Sequence, residues 1–304
     1  MLNDTYYSIK PLIPRRAQLW LRRGNIWIKK RSCGGKWPID EWAAKAPDDW
    51  KGWPEGKKFA LVLTHDVETA EGRDKCPDLA GMEKGLGFRS SFNFVPERYK
   101  LPRETREDLA RQGFEIGVHD LTHDGKLFRS RKIFQAKALL INQYLKEWNA
   151  LGFRSGSMHR NLEWMHDLDM KYDSSTFDTD PFEPEPEGVG TIFPFWVSNG
   201  RGGYLEMPYT LPQDFTMFVL MRNRDIDVWK RKLDWIAEKG GMALLCVHPD
   251  YMNFDGRPDF EEYPAEYYER FLRYVSTQYG GQYWSALPRD VMFFFKGVCS
   301  RNCG

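Results

Sequence analysis

The sequence predicts an α/β protein built on a mainly parallel sheet, either open or closed as a barrel. Strand-like and helix-like segments alternate over about 240 residues after Gly56, a pattern typical of parallel sheets covered by helices. Residues suited to metal or acid–base chemistry follow three of the predicted strands. A chain of 304 residues, 41% of them hydrophobic, is long enough to bury the core of one large α/β domain.

Five segments have the composition and length of buried strands. They are FALVLT ending at Thr64, FEIGVH ending at His119, GFRS around Arg154, YLEMPYT from Tyr204, and MALLCVH ending at His248. Between them, residues 130–149 and 227–241 have apolar residues at helical spacing, the first after a serine cap and the second ending at a glycine pair. Residues 37–56 are a polar connector rich in Trp and Pro.

Positive charge is concentrated at the N-terminus. Residues 1–31 contain eight Lys or Arg and one Asp, although the whole chain has a net charge of only +1. This balance does not favour a nucleic-acid partner. The arm is suited to two arrangements: contact with an anionic membrane surface, or packing on the acidic body of the same protein. We expect a basic aromatic arm at 1–45, a barrel domain at 46–290 and a tail at 291–304.

The arm has no uninterrupted apolar stretch of signal-peptide or transmembrane length, because arginines break it every few residues. The sequence therefore predicts a cytoplasmic protein, peripheral on the inner membrane face if the arm contacts lipid. The five cysteines are odd in number and form no C-x-x-C pair. This pattern predicts reduced thiols instead of a disulfide framework or a structural zinc site.

Candidate metal ligands follow the first two predicted strands. THDVE contains Asp66 and Glu68, and GFEIGVHDLTHDG contains His119 and His123. The carboxyl ends of parallel strands lie at one edge of a sheet, so these side chains can meet there. One carboxylate and two histidines leave coordination positions open for water and substrate, as a catalytic zinc requires, and the second carboxylate can act as a base.

These segments resemble the motifs of the carbohydrate esterase family 4 polysaccharide deacetylases, or NodB-homology enzymes. THDVE is similar to the form of the first motif in which the metal ligand comes one residue later. HDLTH resembles H-[ST]-x-x-H, with Asp120 in place of Ser or Thr, and FRSGS resembles R-x-P without its proline. LLCVH resembles L-x-L-x-H, with Cys246 where leucine is usual. The motifs have the family's order and spacing across residues 58–250.

The resemblance implies a distorted (β/α) barrel of the NodB-homology type, a divalent metal that is usually zinc, and hydrolysis of N- or O-acetyl groups on a sugar or glycan. It also implies a role for each matching residue. Asp66 would be the base, Glu68, His119 and His123 the metal ligands, Arg154 the residue that orients Asp66 and keeps it ionised, and His248 the general acid.

Some positions remain open. The family usually has an aspartate between the third and last motifs that polarises the catalytic histidine; Asp173, Asp178 and Asp180 are candidates, and we choose Asp180. His159 and Tyr251 are candidate substrate-binding residues, although a loop histidine is often only exposed and HPDY can simply form a turn. His166 has the pattern of an ordinary helical residue.

Two other functions remain compatible with the sequence. The altered first, third and last motifs would suit a carbohydrate-binding protein that has lost catalysis on the same barrel. A metal-dependent amidase acting on a non-sugar acyl amide would use the same chemistry in a different pocket. Bound metal and release of acetate would separate these functions from a carbohydrate deacetylase.

Overall fold

A curled, mainly parallel sheet forms the centre of the molecule, as seen in a computed structural model that describes residues 14–33, 35, 37–200 and 202–302. The strands are β1 (Phe59–Val67), β2 (Ser91–Phe94), β3 (Glu115–His119), β4 (Gly152–Arg154), β5 (Tyr172–Asp173), β6 (Phe195–Ser198), β7 (Gly203–Glu206), β8 (Met242–Val247) and β11 (Tyr283–Ala286), with β9 (Met252–Asn253) and β10 (Tyr263–Pro264) forming a separate pair. The strand order is β11-β1-β2-β3-β4-β5-β7-β6, and β8 also pairs with β1. Among the strand pairs of the described residues, only β6–β7 is antiparallel.

Two isolated parallel bridges continue the curl of the sheet. Phe177 pairs with Tyr209, and Leu211 pairs with Leu245 in β8, so the chain beyond β5 connects back to the first strands. The sheet is thus a distorted (β/α) barrel, as predicted. All nine residues of β1 are buried, as expected for the central strand of a parallel sheet covered on both faces.

Helices surround the sheet. They are α1 (Arg15–Ser32), α2 (Ala70–Gly85), α3 (Arg103–Arg111), α4 (Arg131–Glu147), α5 (Asp227–Lys239), α6 (Glu266–Tyr279) and α7 (Pro288–Asn302). The hydroxyl of Ser130 accepts a hydrogen bond from the Ile133 amide at 3.3 Å, which is the predicted cap of α4. Gly240 ends α5 with φ of 77°, a left-handed conformation that glycine adopts without steric cost. Both predicted helices are confirmed to within two residues at their ends.

The basic arm forms helix α1, which packs on the barrel through Leu19 and Ile26. Residues 1–13 of the predicted arm lie outside the described residues. No helix in the described part of the chain is long and apolar enough to cross a bilayer. Helix α7 spans both sides of the expected boundary between barrel and tail.

Strand register brings the site residues together. Asp66 in β1 pairs with Asn93 in β2, and His119 in β3 pairs with Arg154 in β4. His248 follows directly after β8, which runs parallel to β1. All five residues therefore lie at the carboxyl edge of the barrel, where α/β folds place their functional sites.

Candidate active site

Asp66 is a buried carboxylate held by three neighbours. The Asn93 amide donates to Oδ1 at 3.0 Å, and Nη1 of Arg154 lies 3.5 Å from Oδ2. Nε2 of His119 is 3.8 Å from the same oxygen. Burial alone would raise the pKa of Asp66, but the positive charge of Arg154, with help from His119, holds it well below its ordinary value. Asp66 is therefore ionised at neutral pH.

Arg154 is itself fixed within the barrel, with 1% of its surface exposed. Its Nη2 donates to Oγ of Ser174 at 2.6 Å, and that hydroxyl donates in turn to the Met207 carbonyl at 2.9 Å. Because the guanidinium is buried and hydrogen-bonded, it cannot turn toward solvent and stays beside Asp66. Arg154 therefore lies where it could orient Asp66, and the role that the family resemblance implies for it stays a prediction.

Glu68, His119 and His123 form a cluster that fits a divalent metal. One ligand atom from each lies within 4.8 Å of the others. The ring of His119 donates from Nδ1 to the Arg154 carbonyl at 3.1 Å, which leaves the lone pair on Nε2. The Nε2 atoms of both histidines are buried and have no hydrogen-bond partner among the described residues. Buried nitrogens without partners are costly in a protein that binds nothing there, so the donor set fits a metal ion.

The backbone of the histidine loop explains how two imidazoles four residues apart converge. Asp120 and His123 have φ of 54° and 52°, in the left-handed region that few residues adopt. Oδ1 of Asp120 accepts from the Leu121 amide at 2.5 Å, a local contact that offsets part of this strain. Gly156 lies against the loop: a Cβ at this position would be 2.6 Å from Oδ2 of Asp120 and 2.9 Å from Cδ2 of His123.

Arg98 also contacts the cluster. Its Nη1 donates to Nδ1 of His123 at 2.9 Å. If Nε2 of His123 binds an ion, Nδ1 carries the ring proton and no longer accepts from Arg98. In this arrangement the Arg98 contact opposes metal binding through His123.

A second group of potential ligands, Asp66, Cys246 and His248, also has atoms within 4.8 Å of one another. Burial raises the pKa of the Cys246 thiol well above its ordinary value, so the sulfur stays protonated and binds metals poorly. Asp66 is held by Arg154, as described above. Glu68, His119 and His123 are therefore the better candidate for a metal site.

His248 is bound by Asp214. Its Nδ1 donates to Oδ1 of Asp214 at 2.7 Å, and its backbone amide donates to Oδ2 at 2.8 Å. Although burial opposes a charge on the ring, the carboxylate of Asp214 raises the pKa of His248 to about 10. The free Nε2 points toward Glu68, whose Oε1 is 4.0 Å away. His248 thus presents a protonated Nε2 to the cleft at neutral pH.

The assignment of Asp180 as the partner of His248 is corrected by this geometry. Asp180 accepts from the hydroxyl of Tyr209 at 3.0 Å and from the Phe182 amide at 2.9 Å. Burial, together with Glu183, raises the pKa of Asp180 to about 8. The other two candidates are also engaged elsewhere. Asp173 accepts from Ser175, and Asp178 forms a buried ion pair with Lys232.

Sequence reasoning missed Asp214 and Asn93 for different reasons. Asp214 caps a short apolar helical turn, Phe215–Leu220, and this local role hides its contact with a histidine 34 residues later. Asn93 left a clearer signal, because it is an isolated amide in a buried strand of sequence SFNF. A buried amide in such a strand needs a polar partner, and here the partner is Asp66.

The segment after His248 holds Glu68 in place through hydrogen bonds. Asp250 accepts from the Glu68 amide at 2.9 Å and from the Thr69 hydroxyl at 2.5 Å. The hydroxyl of Tyr251 donates to Oε2 of Glu68 at 3.3 Å. HPDY is therefore more than a surface turn.

His159 lies on the loop after β4, and its Nδ1 is 3.5 Å from Oε1 of Glu185. Substrate contacts for His159 and Tyr251 remain predictions.

No family model matches the chain, and no curated protein matches its sequence. Several solved structures have the same fold. A protein from Mycobacterium smegmatis assigned as a polysaccharide deacetylase aligns with a TM-score of 0.65 and 18% identity, over 83% of this chain and 95% of that chain. A similarly assigned protein from Pseudomonas aeruginosa PAO1 aligns with a TM-score of 0.60 and 17% identity, over 84% of this chain and 97% of its own. The Puue allantoinase aligns with a TM-score of 0.60 and 16% identity, over 84% and 96%.

These alignments cover most of each protein at low sequence identity. The chain therefore has the fold of the polysaccharide deacetylases, which confirms at the level of the fold the resemblance that its motifs predict. The same barrel is also the fold of an allantoinase, so the activity has to be argued from the site.

Proposed function

We propose that the protein is a metal-dependent hydrolase that removes N-acetyl or O-acetyl groups from a sugar or glycan precursor. One observation carries the proposal. A three-ligand cluster, an ionised carboxylate and a protonated histidine meet at the carboxyl edge of one barrel. Each of these groups alone has a structural explanation, but together they supply a metal site, a base and an acid.

Glu68, His119 and His123 would hold the metal, and one carboxylate with two imidazoles is a ligand set that suits zinc. The chemistry that such an ion would supply there is polarisation of a water molecule and of the acetyl carbonyl. Asp66 accepts the proton of the attacking water, since Arg154 and Asn93 keep its carboxylate ionised and oriented.

His248 completes the reaction as the general acid. Because Nδ1 is bound to Asp214, the proton available to the substrate is the one on Nε2. Transfer of this proton to the departing nitrogen or oxygen releases the free amine or hydroxyl, and the acetyl group leaves as acetate. Asp66 then releases its proton to solvent, and His248 is reprotonated from solvent.

The proposal is tested by measuring metal content and acetate release together. The substrate panel contains acetylated nucleotide sugars, lipid-linked glycans and peptidoglycan fragments. Allantoin is added because one protein of this fold is an allantoinase; it has no acetyl group, so its hydrolysis is followed by the loss of allantoin itself. We expect acetate and one new amine or hydroxyl per turnover. His119→Ala and His123→Ala should lose metal and activity together, whereas His166→Ala, which changes a histidine packed on Tyr204, should keep both.

Three results would contradict the proposal. A double variant of His119 and His123 that stays fully metallated and active would exclude this metal site. Metal binding with no hydrolysis of any substrate would favour the carbohydrate-binding alternative. Hydrolysis of non-sugar amides alone would favour the amidase.

A further inference from the structure

Helix α1 exposes an apolar face to solvent. Trp20, Leu21, Trp27 and Ile28 have exposed fractions of 72%, 52%, 57% and 63%. Trp20 and Leu21 are neighbours, and Trp27 and Ile28 follow seven residues, or about two turns, later. The four side chains therefore form one stripe along the helix. Surface helices normally turn such a stripe toward the core. In α1, Leu19 and Ile26 are buried against the barrel. The stripe of Trp20, Leu21, Trp27 and Ile28 is a second apolar face, and it points outward.

The inward face of α1 is fixed by cations spaced seven residues apart. Nε of Arg15 is 2.8 Å from a carboxylate oxygen of Glu261. The guanidinium of Arg22 lies 4.7 Å from the ring centroid of Phe215. Nζ of Lys29 donates to the Pro181 carbonyl at 2.8 Å. Three anchors over four turns prevent the helix from rotating its exposed stripe inward.

These anchors place α1 beside the candidate active site. Phe215 follows Asp214, the partner of His248, and its ring centroid is 4.7 Å from that of Tyr251. The ring of Tyr251 is in turn 5.3 Å from that of His248. The helix therefore lies along the rim of the cleft that contains the general acid, and a surface that binds α1 would lie next to this cleft.

The charge of α1 favours an anionic partner. Residues 15–32 contain seven Lys or Arg and no Asp or Glu. Arg16, Lys30 and Arg31 are exposed, and the guanidinium of Arg31 lies 3.5 Å from the ring centroid of Trp27. Exposed tryptophans beside Arg and Lys suit the headgroup region of a bilayer, where rings enter the interface and cations meet lipid phosphates.

We propose that the outer face of α1 binds an anionic phospholipid bilayer and holds the rim of the catalytic cleft at the lipid headgroups. The acetylated saccharide is then the headgroup of a membrane-anchored lipid. The substrate class rests on the proposed function, whereas the membrane contact does not. A helix that lay flat on the bilayer through this face would bring such headgroups to the cleft without extracting the lipid.

The first experiment measures binding of the full chain to vesicles of phosphatidylcholine with phosphatidylglycerol, and to vesicles of phosphatidylcholine alone. We expect binding to the anionic vesicles that weakens as salt is added. The double variant Trp20→Ala/Trp27→Ala should bind at least about tenfold more weakly. Trp42→Ala is the matched control, because Trp42 is 86% exposed but lies outside α1. It should bind as the unmodified chain does.

A second variant keeps the test valid if the double alanine variant does not fold. Lys30→Gln/Arg31→Gln removes two exposed cations without placing negative charge at the C-terminal end of α1, and it should weaken binding to anionic vesicles while the thermal unfolding midpoint changes little. A third measurement compares acetate release from a soluble acetyl sugar with release from the same sugar anchored in vesicles. Trp20→Ala/Trp27→Ala should lower only the second rate.

Several results would overturn the inference. They are failure of the unmodified chain to bind anionic vesicles, equal binding by Trp20→Ala/Trp27→Ala and Trp42→Ala, or a lipid-free dimer that the double variant dissociates, since a second copy would then cover this face. If the unmodified chain released acetate from the soluble sugar but did not bind anionic vesicles, the membrane contact alone would be refuted. Vesicle binding without any acetate release would refute the deacetylase alone.

Discussion

Replacing Asp214 with asparagine should disable the acid without removing the metal site. All four acceptor positions of this buried carboxylate are used. Oδ1 accepts from the Phe215 amide at 2.8 Å and from Nδ1 of His248 at 2.7 Å. Oδ2 accepts from the His248 amide at 2.8 Å and from the Tyr263 hydroxyl at 2.9 Å. An asparagine NH₂ at either position faces a backbone N–H that then has no acceptor.

The cost follows from these contacts. A buried donor left without an acceptor costs about 1–3 kcal/mol, so the orphaned amide and the new NH₂ together should lower the free energy of unfolding by about 2–4 kcal/mol. For a domain of this size the midpoint of thermal unfolding should fall by roughly 3–6 °C. The variant also removes the main interaction that opposes the effect of burial on the pKa of His248, which should fall from about 10 toward its ordinary 6.5 or below.

The decisive assay is the pH dependence of kcat for acetate release. We expect kcat of the unmodified protein to persist toward high pH, since His248 stays protonated, and kcat of Asp214→Asn to decline above about pH 6.5. At neutral pH the loss should be about 10²- to 10⁴-fold, because the imidazole loses both its orientation and its charge. Metal content should not change, which separates this positioning residue from the ligands.

Asp180→Asn is the matched control. Asp180 is also buried, but its pKa is raised to about 8, so its neutral form dominates at pH 7 and resembles asparagine in shape and charge. We expect this variant to keep its activity and pH profile. If Asp180→Asn lost as much activity as Asp214→Asn, or if Asp214→Asn kept the pH profile of the unmodified protein, the role given to Asp214 would be wrong.

Three further predictions concern the base, the histidine loop and pH-dependent stability. Asp66→Asn should retain metal and lose turnover, whereas Glu68→Gln should weaken metal binding; exchanged phenotypes would mean that base and ligand are assigned the wrong way round. Gly156→Ala should displace the loop and weaken zinc binding by about 10–100-fold in a titration, whereas Gly81→Ala, where a Cβ meets nothing within 4 Å, should not. Burial raises the pKa of Glu115 from 4.5 to about 7, so its neutral form stabilises the fold below pH 4.5 and this contribution is lost as the pH rises to 7. Urea unfolding should show that the loss of this contribution lowers the free energy of unfolding by about 2–3 kcal/mol between pH 5 and pH 8, and that the loss is absent in Glu115→Gln. If the free energy of unfolding of Glu115→Gln had the same pH dependence as that of the unmodified protein, this role of Glu115 would be wrong.

Part of this site could be predicted because its signals are local. Buried strands are apolar runs of limited length, and the polar residues that follow them in THDVE, HDLTH and LLCVH stand out against those runs. Parallel strands then bring these residues to one edge. The ends of the helices at 131–147 and 227–239 were predictable for a similar reason, since a serine cap and a glycine in the left-handed region act on their immediate neighbours.

The contact between Asp214 and His248 could not be predicted in this way. It depends on how the segment after β7 crosses the barrel to reach β8, where Leu211 forms a bridge with Leu245. The sequence around Asp214 shows only an acidic residue before an apolar turn, and the same description fits Asp180 before Phe182. Burial and partners, which depend on tertiary structure, separate the two: Asp214 is bound by donors, and Asp180 lies beside another carboxyl group.

The departures from the family motifs are the main argument for a carbohydrate-binding protein without catalytic activity. For two of these departures, the structure shows a local feature that compensates for the change. Asp120 replaces Ser or Thr in a left-handed conformation with φ of 54°, which aspartate tolerates better than most residues, and its side chain bonds the next amide. In FRSGS the proline is absent, and Gly156 instead gives the loop room to lie against the ring of His123. Both changes preserve the positions of the histidines and of Arg154 and alter only the backbone that holds them. An ionised Asp66 beside the buried guanidinium of Arg154 is costly to bury, and an ionised carboxylate held in this way is what a general base requires. The retained pair therefore favours catalysis over binding alone.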